Sequence, residues 1–298
     1  MNLDHLRLFV RIAVTHNISA AGKELGLSPA VASSYVNKLE AQLGVRLVHR
    51  TTRKVALTEE GQAFLNHAED VIDAIEAAKS SVGAGSTAPS GTLRVAAPAS
   101  FGRMHLLPAL SEFLTTFPEL KVDLKLSDTI VDLVEGGFDV AIRNSALQDS
   151  TLIAKKLAKD RRLLCASPDY LSNHPQINTP DDLKKHNCIS LMGLEHWKFS
   201  NGRQEFKVKV SGNFRTDNGE AIRDACEAGI GITINSTWSA YRQLKSGRLV
   251  EVLPDYPIVS NTDIWVVYPS SRQLAPKVRA FIDFFANYFG ETPYWDEP

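Results

Sequence analysis

The sequence of 298 residues has little cysteine and no long apolar run. Its three cysteines, Cys165, Cys188 and Cys226, are too few for a disulfide framework, and no C-x-x-C pair indicates a zinc site. No run of about 18 apolar residues predicts a membrane-spanning helix, and the amino-terminal residues lack the basic and apolar regions of a signal peptide. Unpaired cysteines are typical of a reducing compartment, and we expect the protein to be cytoplasmic.

The sequence also lacks the motifs that carry common enzyme chemistry. It contains no G-x-S-x-G, no H-E-x-x-H and no phosphate-binding P-loop. Its eight histidines are scattered without the spacing of metal ligands. We therefore predict neither catalytic residues nor a metal or cofactor site. With 44% hydrophobic and 22% charged residues, the composition excludes a disordered or fibrous chain, and the length predicts roughly two domains of about 150 residues.

The net charge of −1 hides an uneven distribution of charge. Residues 1–57 contain 8 Lys and Arg against 3 Asp and Glu, whereas residues 58–82 contain Lys79 against six acidic residues. The remaining 216 residues are close to neutral. The sequence thus predicts a basic head, an acidic connector and a neutral body, and the basic head is compatible with a nucleic-acid partner.

The basic head has the pattern of a helix-turn-helix. Apolar residues at spacings of three and four predict a first helix over Leu3–Thr15. Ser19 is the expected N-cap of a second, short helix. After a turn that contains glycine, a third helix is expected to start with Ser28 as its cap and Pro29 in its first turn, and to end at Gly44. Two helices joined by such a turn form a helix-turn-helix.

After the third helix the pattern changes from a helical to a strand period. Apolar residues alternate with polar ones on both sides of the basic run 49–54. This predicts a two-stranded wing with a cationic tip, which suits contacts to phosphates. A small helical domain with a solvated basic hairpin is the alternative for each feature alone, but the order of the features favours a DNA-binding winged helix.

The first sixty residues resemble the amino-terminal signature of LysR-type transcriptional regulators. The resemblance lies in short segments at matching spacing: Ile18–Ala21, Leu25–Val31, Leu39–Glu40, Leu43–Leu47, Arg50–Arg53 and Leu57–Gly61. It implies that the third helix enters the major groove and that the wing contacts phosphates. Many members have an arginine where this chain has Ser34, which puts a guanidinium contact to a base in doubt there. The expected DNA-binding residues are Ser28, Pro29, Ala30, Ser33, Ser34, Asn37, Lys38, Arg50, Thr52 and Arg53.

The acidic connector predicts a long helix that starts after Thr58, where two glutamates favour the helix dipole. Its apolar residues form two rows at seven-residue spacing, namely Phe64, Val71 and Ala78, and Ala68, Ile75 and Val82. Such rows are typical of a helix that pairs with a second copy, and packing on its own domain is the alternative. The resemblance favours pairing and implies a homodimer through this helix and a homotetramer built from dimers. Glycine and serine in residues 83–91 predict a hinge.

The neutral body alternates strands with helices. The first half predicts a parallel sheet flanked by helices, from a strand at Leu93–Ala97, a helix from Pro98 to about Thr116, a strand at Val122–Leu126, a short helix at Ile130–Gly136 and a strand at Asp139–Arg143. A second unit follows, with strands at Leu163–Ala166, Ile189 and Phe206–Phe214, a helical start at Thr179–Leu183, a helix from Asn218 to Glu227, a late strand at Ile264–Tyr268 and a closing helix at Pro276–Tyr288.

The resemblance extends to this body. It implies a two-lobed, Rossmann-like effector domain of the periplasmic binding protein type 2. We therefore expect an α/β chain in three parts: a winged helix-turn-helix DNA-binding domain at 1–58, a linker helix and hinge at 59–90, and an effector-binding domain at 91–298. The chain is expected to pass between the two lobes near residue 162 and to return near residue 266.

Two-lobed α/β domains bind ligands between the lobes, at the carboxyl ends of strands and the N-termini of helices. By position in the family, the expected effector-binding residues are Ser100, Phe101, Thr129, Arg143, Asp217 and Asn218. Structural roles are the alternative: Ser100 as a helix cap, and Arg143 as an ion-pair partner of Asp128 or Asp139. An arginine beside two helix starts suits a small anion such as a carboxylate.

These features together predict a sequence-specific DNA-binding transcriptional regulator, with double-stranded DNA, a small-molecule effector and its own copies as partners. An enzyme with a fused DNA-binding head is one alternative, which the absence of catalytic motifs disfavours. An architectural DNA binder without a ligand is another, which the large two-lobed body disfavours.

Overall fold

The computed structural model describes residues 1–50, 55–81, 88–133, 136–145, 152–192, 194–270 and 275–297. The chain divides into two compact units, the first comprising Met1–Ala88 and the second comprising Pro89–Gln273 and Lys277–Pro298. Among the described helices, none is both long and apolar enough to cross a membrane. The finer domain boundaries expected at residues 58 and 90 stay predictions.

The first unit begins with a helical bundle, continues as a two-stranded wing and ends in a long helix. Its elements are α1 (Leu3–Thr15), α2 (Ile18–Glu24), α3 (Pro29–Leu43), β1 (Val48–Arg50), β2 (Val55–Leu57) and α4 (Glu59–Ser81). Strands β1 and β2 pair antiparallel. The winged helix-turn-helix followed by a long helix is thus confirmed.

Capping residues determine where the helices of the first unit begin and end. The Ser28 hydroxyl accepts a hydrogen bond from Val31 N, and Gly44 ends α3 with a φ of 73°, a conformation that favours glycine. The prediction that Ser19 caps α2 was wrong. The cap is Asn17, whose side chain accepts a hydrogen bond from the backbone N–H of Ala20 at 3.0 Å. Asn and Ser are equally good caps, so local sequence could not separate the two positions.

The core of the first unit includes part of α4. Phe9 and Ala68 are fully buried, and the Phe64 ring lies 5.6 Å from that of Phe9. The first half of α4 therefore packs on its own domain. This differs from the expectation that Phe64 and Ala68 belong to a dimer seam. Farther along the helix, Val71 is 42% exposed. The last predicted seam residue, Val82, lies outside the described residues.

The second unit consists of two α/β lobes. The first lobe contains β3 (Gly91–Ala97), α5 (Ala99–Phe101), a π-helical turn (Gly102–Leu106), α6 (Leu107–Thr116), β4 (Leu120–Leu126), β5 (Val140–Ser145) and β6 (Leu152–Lys159). The second lobe contains β7 (Arg162–Ala166), α7 (Pro168–Ser172), a 3-10 turn (Pro180–Lys185), β8 (Ser190–Leu191), β9 (His196–Ser200), β10 (Glu205–Lys209), β11 (Arg215–Thr216), α8 (Gly219–Glu227), β12 (Thr233–Ser236), α9 (Thr237–Lys245) and β13 (Val250–Glu251). The chain returns to the first lobe with β14 (Asp263–Pro269) and α10 (Pro276–Phe289).

The first-lobe sheet has the strand order β4-β3-β5-β14-β6. Strand β3 pairs in parallel with β4 and β5, as predicted, whereas β14 pairs antiparallel with β5 and β6. In the second lobe, β7 lies between β12 and β13 and is antiparallel to both. Because β6 and β14 are neighbours, the two passages of the chain between the lobes, at 160–161 and 259–262, lie side by side.

Two predicted elements of the body differ from the structure. The helix predicted at Ile130–Gly136 is absent from the described part of that stretch, which forms turns and irregular backbone. Gly136 and Gly137 disfavour a helix in so short a segment. The strand predicted at Phe206–Phe214 ends at Lys209 instead, because the chain leaves the sheet there: the Ser211 carbonyl accepts a hydrogen bond from Cys188 N at 3.0 Å, and the chain bends at Asn213.

Candidate DNA-binding surface and effector cavity

The outer face of α3 carries most of the residues predicted to contact DNA. The exposed ones are Ser28, Pro29, Ala30, Asn37 and Lys38, and the half-buried ones are Ser33 and Ser34. The opposite face of α3 is buried in the core of the first unit. Because a helix has 3.6 residues per turn, Ala30, Ser34 and Asn37 form one stripe along the outer face. The exposed side chain of Gln42, which was not predicted to contact DNA, lies one turn after Lys38 and extends the polar face.

Glu40 connects α3 to the wing. Its buried carboxylate accepts hydrogen bonds through Oε1 from the backbone N–H groups of Leu47 at 2.8 Å and Val48 at 3.1 Å. Arg46 lies 3.6 Å from Oε2 of the same carboxylate. Charge-assisted hydrogen bonds to backbone N–H groups are strong, so they fix where β1 begins relative to α3.

Three further residues predicted to contact DNA belong to the wing. Arg50 is the last residue of β1 and pairs with Val55 of β2. Thr52 and Arg53 fall within residues 51–54, outside the described part of the chain. A contact of these residues with DNA stays a prediction.

A cavity of about 560 Å³ lies between the two lobes of the second unit. Of the residues predicted to bind an effector, four line it: Ser100, Thr129, Arg143 and Asp217. A large part of the remaining wall is apolar, with Ile130, Ile189, Leu191, Leu194, Ile222, Ile234 and Ile258 among its residues. A concave site of this size with an apolar wall and a few polar groups is typical of small-molecule binding.

Ser100 and Arg143 do not have the structural roles that were the alternatives to effector binding. Ser100, in α5, is 3% exposed, and its hydroxyl has no hydrogen-bond partner among the described residues, so it does not cap its helix. Arg143 is half-buried in β5 and forms no ion pair with any described residue. Asp139 instead pairs with Lys277 at 3.0 Å, and Asp128 accepts hydrogen bonds from two other residues.

Phe101 and Asn218, which were also predicted to bind the effector, lie outside the cavity wall. The Phe101 ring is fully buried against His105 and Trp238, with ring centroids 4.9 Å and 5.3 Å away. The Asn218 side chain caps α8 by accepting a hydrogen bond from the backbone N–H of Ala221 at 2.9 Å. Both residues therefore support the structure around the cavity.

His105 joins the two lobes behind the cavity. Its Nε2 lies 3.0 Å from the Trp238 carbonyl oxygen, which can only accept, so Nε2–H donates and Nδ1 accepts from the Tyr294 hydroxyl at 2.6 Å. Burial lowers the pKa of His105 from its ordinary value of 6.5 to about 4. The ring is therefore neutral near pH 7, and it supports Trp238, which lines the cavity.

Several polar residues of the cavity wall were not predicted from the sequence, among them Asn144, Arg162 and Ser239. Residues 160–162 form a charged run between two strands, but no motif in the sequence indicated that Arg162 lies in a binding site. Ser239 lies in the first turn of α9, a helix that was not predicted, and its buried hydroxyl has no hydrogen-bond partner in the described part of the chain.

The three thiols are buried and show no feature of a reactive site. Cys226 Sγ donates a hydrogen bond to the Cys165 carbonyl oxygen at 3.3 Å. A side-chain hydrogen bond to Cys226, together with burial, raises the pKa of Cys165, and burial raises the pKa of Cys188 to about 12. Reaction with oxidants requires the thiolate, which is scarce at these pKa values. Within the residues that the structure describes, no group of His, Cys, Asp and Glu is arranged to hold a metal ion.

Comparison with known proteins identifies both units. The family described as "Bacterial regulatory helix-turn-helix protein, lysR family" matches residues 3–62, and the "LysR substrate binding domain" matches residues 86–290. The chain is 34% identical to the HTH-type transcriptional activator TtdR of Escherichia coli (strain K12), over 94% of this chain and 91% of that protein. It is 34% identical to the HTH-type transcriptional regulator DmlR of the same strain, over 97% of this chain and 95% of that protein.

Solved structures of full-length regulators have the same fold. The virulence activator AphB of Vibrio cholerae, a member of the LTTR protein family, superposes with a TM-score of 0.60 at 29% identity, over 97% of this chain and 99% of that one. CrgA of Neisseria meningitidis, a LysR-type transcriptional regulator, superposes with a TM-score of 0.62 at 29% identity, over 96% and 98%. Proteins of this kind bind DNA and small-molecule effectors, form oligomers and are not enzymes. The chain belongs to the LysR family of bacterial helix-turn-helix transcriptional regulators.

Proposed function

We propose that this regulator reads its operator with the outer face of α3 and the wing, and that a small organic anion in the cavity between the lobes controls it. The side chains of Ser34 and Asn37 suit hydrogen bonds to base edges, and Pro29 and Ala30 suit contact with thymine methyl groups. Lys38, with the basic residues of the wing, suits phosphates.

The observation that carries the effector proposal is the half-buried Arg143 on the cavity wall, which has no ion-pair partner among the described residues. A charged group removed from water is costly without a partner, so a ligand that supplies a carboxylate is stabilised there. The orphan hydroxyl of Ser100 adds a hydrogen-bond donor at the start of α5. The first turn of α9 presents a second helix start, with Ser236 and Ser239 on the wall.

The test is binding of small organic acids to the full chain by isothermal titration calorimetry, after a thermal-shift screen for stabilising acids. We expect Arg143→Met to weaken binding of the acids that stabilise the wild type by at least about tenfold, since a hydrogen-bonded charge pair is lost. Lys125→Met is the matched control, because Lys125 also lines the cavity but is exposed. Equal affinity of wild type and Arg143→Met would exclude the proposed anion site.

We further propose that two copies pair through the second half of α4 and that dimers assemble into tetramers. Val71, Ile75 and Ala78 follow one another at spacings of four and three, as in a coiled-coil seam, and Val71 is an exposed large apolar side chain. Val71→Glu should raise the dimer dissociation constant in sedimentation equilibrium, whereas Gln62→Glu, an exposed residue earlier in the helix, should leave it unchanged. An unaltered oligomeric state in Val71→Glu would exclude this seam.

An effector changes DNA binding only if it has different affinities for two arrangements of the protein. The cavity lies between two lobes that the chain connects at 160–161 and 259–262, so a ligand that contacts both lobes stabilises one angle between them over another. In the assembled regulator such a change would alter the spacing of the DNA-binding units.

A further inference from the structure

Two arginines line the effector cavity, and they differ in their partners. Arg143, in β5, forms no ion pair with any described residue. Arg162, at the start of β7, donates a hydrogen bond from Nε to Oδ2 of Asp160 at 2.8 Å. Among the described residues, the wall thus presents one guanidinium without a counter-charge and one whose charge a carboxylate already balances.

Asp160 is fixed behind the cavity wall by donors from both lobes. Its side chain is fully buried, and Oδ2 also accepts a hydrogen bond from the Thr262 hydroxyl at 2.8 Å. The amide of Asn144, oriented so that both of its neighbours are satisfied, donates to the same oxygen at 3.0 Å and accepts from the indole N–H of Trp238 at 3.0 Å. Arg162, Asn144 and Trp238 all line the cavity, so one carboxylate positions three residues of the wall.

The negative charge of Asp160 lies next to any ligand group that binds at Arg162. Oδ1 is buried and has no hydrogen-bond partner among the described residues. A ligand carboxylate placed at Arg162, whose side chain is only 20% exposed, would share the guanidinium with the buried carboxylate of Asp160, and the two carboxylates would repel each other. The other Lys and Asp residues of the wall are exposed and screened by water, namely Lys125, Asp128, Lys198 and Asp217.

We propose that Asp160 restricts the effector to a single anionic group. Arg143 receives the one carboxylate, and the Asp160–Arg162 pair excludes a second. The apolar residues of the wall, such as Ile189, Ile222 and Ile234, then accommodate an apolar body, so the ligand class is a monocarboxylate rather than a dicarboxylate. This inference rests on the proposed anionic effector and specifies its charge. Asp160 acts through Arg162 and is a positioning residue.

The experiment measures the affinities of the full chain for matched acids that carry one or two carboxylates, butyrate against succinate and benzoate against phthalate, by calorimetry at pH 8. For the wild type we expect tighter binding of the monoanion in each pair that binds. In Asp160→Asn, Arg162 keeps its charge and loses its counter-charge. The dianion should then gain about tenfold in affinity relative to its matched monoanion, as expected for a charged hydrogen bond.

Two control variants separate this effect from a structural one. Asp160→Asn combined with Arg162→Gln removes both charges, and the ratio of the two affinities should return to that of the wild type. Thr262→Val removes a hydrogen bond to Asp160 without changing any charge, and it should leave the ratio unchanged. A ratio that shifts as much in Thr262→Val as in Asp160→Asn would assign Asp160 a structural role only.

The outcomes also distinguish this inference from the proposed function. A wild type that prefers the dianion overturns the restriction by Asp160, even if Asp160→Asn does not fold, and leaves an anionic effector intact. A ratio that Asp160→Asn does not change overturns it as well. A wild type that binds none of the four acids, together with Arg143→Met indistinguishable from it in the acid screen, overturns the anionic effector itself and with it this inference.

Discussion

The DNA-binding surface and the effector cavity differ in how far apart in the sequence their polar groups lie. The stripe on α3 from Ala30 to Asn37 comes from one helix, and its residues are exposed or half-buried. The polar groups of the cavity come from distant parts of the chain, since Ser100, Arg143 and Ser239 lie in α5, β5 and α9. The first surface depends on one helix being folded and held, whereas the second depends on long-range packing.

The difference implies that the two regions fail for different reasons. The DNA-binding surface should lose function when the elements beneath it are displaced or when single exposed side chains are removed. The cavity should lose function when the two lobes are no longer held at the same angle, or when the charge balance of its wall changes.

The largest expected effect is that of Gly61→Ala, which should disrupt the first unit and leave the second one intact. A Cβ at Gly61 would lie 2.0 Å from the backbone carbonyl oxygen of Leu47, so α4 or the wing must move. We expect a loss of about 3 kcal/mol in the free energy of unfolding of the first unit and a loss of DNA binding. Denaturant unfolding and gel shifts measure both, and Glu60→Ala, an exposed neighbour, is the control.

Acid binding to the cavity should be the same in Gly61→Ala as in the wild type. Weakened binding of acids in this variant would show that the two units are coupled, in contrast to the separation described above.

The second effect concerns the second unit and its stability at low pH. The pKa of His105 is lowered to about 4 in the folded protein, and its ordinary value is 6.5. As the pH falls from 6.5 towards 4, the unfolded state takes up a proton that the folded state does not, so the folded state loses stability, by up to about 3 kcal/mol at pH 4. Thermal unfolding between pH 7 and pH 4 measures this loss.

In His105→Gln the contribution of this group to the pH dependence should disappear, although the variant is less stable near pH 7 because the hydrogen bond to Tyr294 is altered. His196→Gln is the control, since His196 is exposed in the same unit. The same slope of stability against pH in His105→Gln and the wild type would contradict the prediction.

The smallest effects are expected on the DNA-binding surface, where single exposed side chains act. Asn37→Ala should cost about 1–3 kcal/mol on the preferred operator and change the preference among operator variants, as for a base contact. Lys38→Ala should weaken binding to all sequences alike and reduce the slope of log K against log salt by about 1. Fluorescence anisotropy at several salt concentrations distinguishes the two. The reverse pattern would exchange the roles of these neighbours.

The sequence predicted the first unit well because its signals are local. Ser28 caps the start of α3 and Gly44 caps its end, as expected, because a cap depends on residues within one turn. The same locality explains the error at Ser19, because Asn17 is an equally good cap two residues earlier. Which partner the apolar rows of α4 contact does not depend on local sequence. Phe64 and Ala68 pack on the first unit because α1 lies beside α4 in the fold.

The effector cavity was predicted only in part for the corresponding reason. The strand and helix starts that bring Ser100 and Arg143 to one edge of the sheet follow from the alternation of elements. Phe101 is adjacent to Ser100 in sequence, yet it faces His105 and Trp238 on the other side of the helix, which no local pattern revealed. Asn218 was expected at the start of its helix, and it caps that helix.

The sequence by itself therefore determined the order of the elements of the first unit, the family and the polar face of α3, since these depend on neighbouring residues and on periodicity. Only the tertiary structure decided which arginine of the cavity has a counter-charge. Asp160 and Arg162 are two residues apart, but the pair is held by Thr262, which precedes β14, and by Asn144 of β5. Electrostatic balance in a partly buried site depends on distances between groups that are far apart in the chain, and folding alone sets those distances.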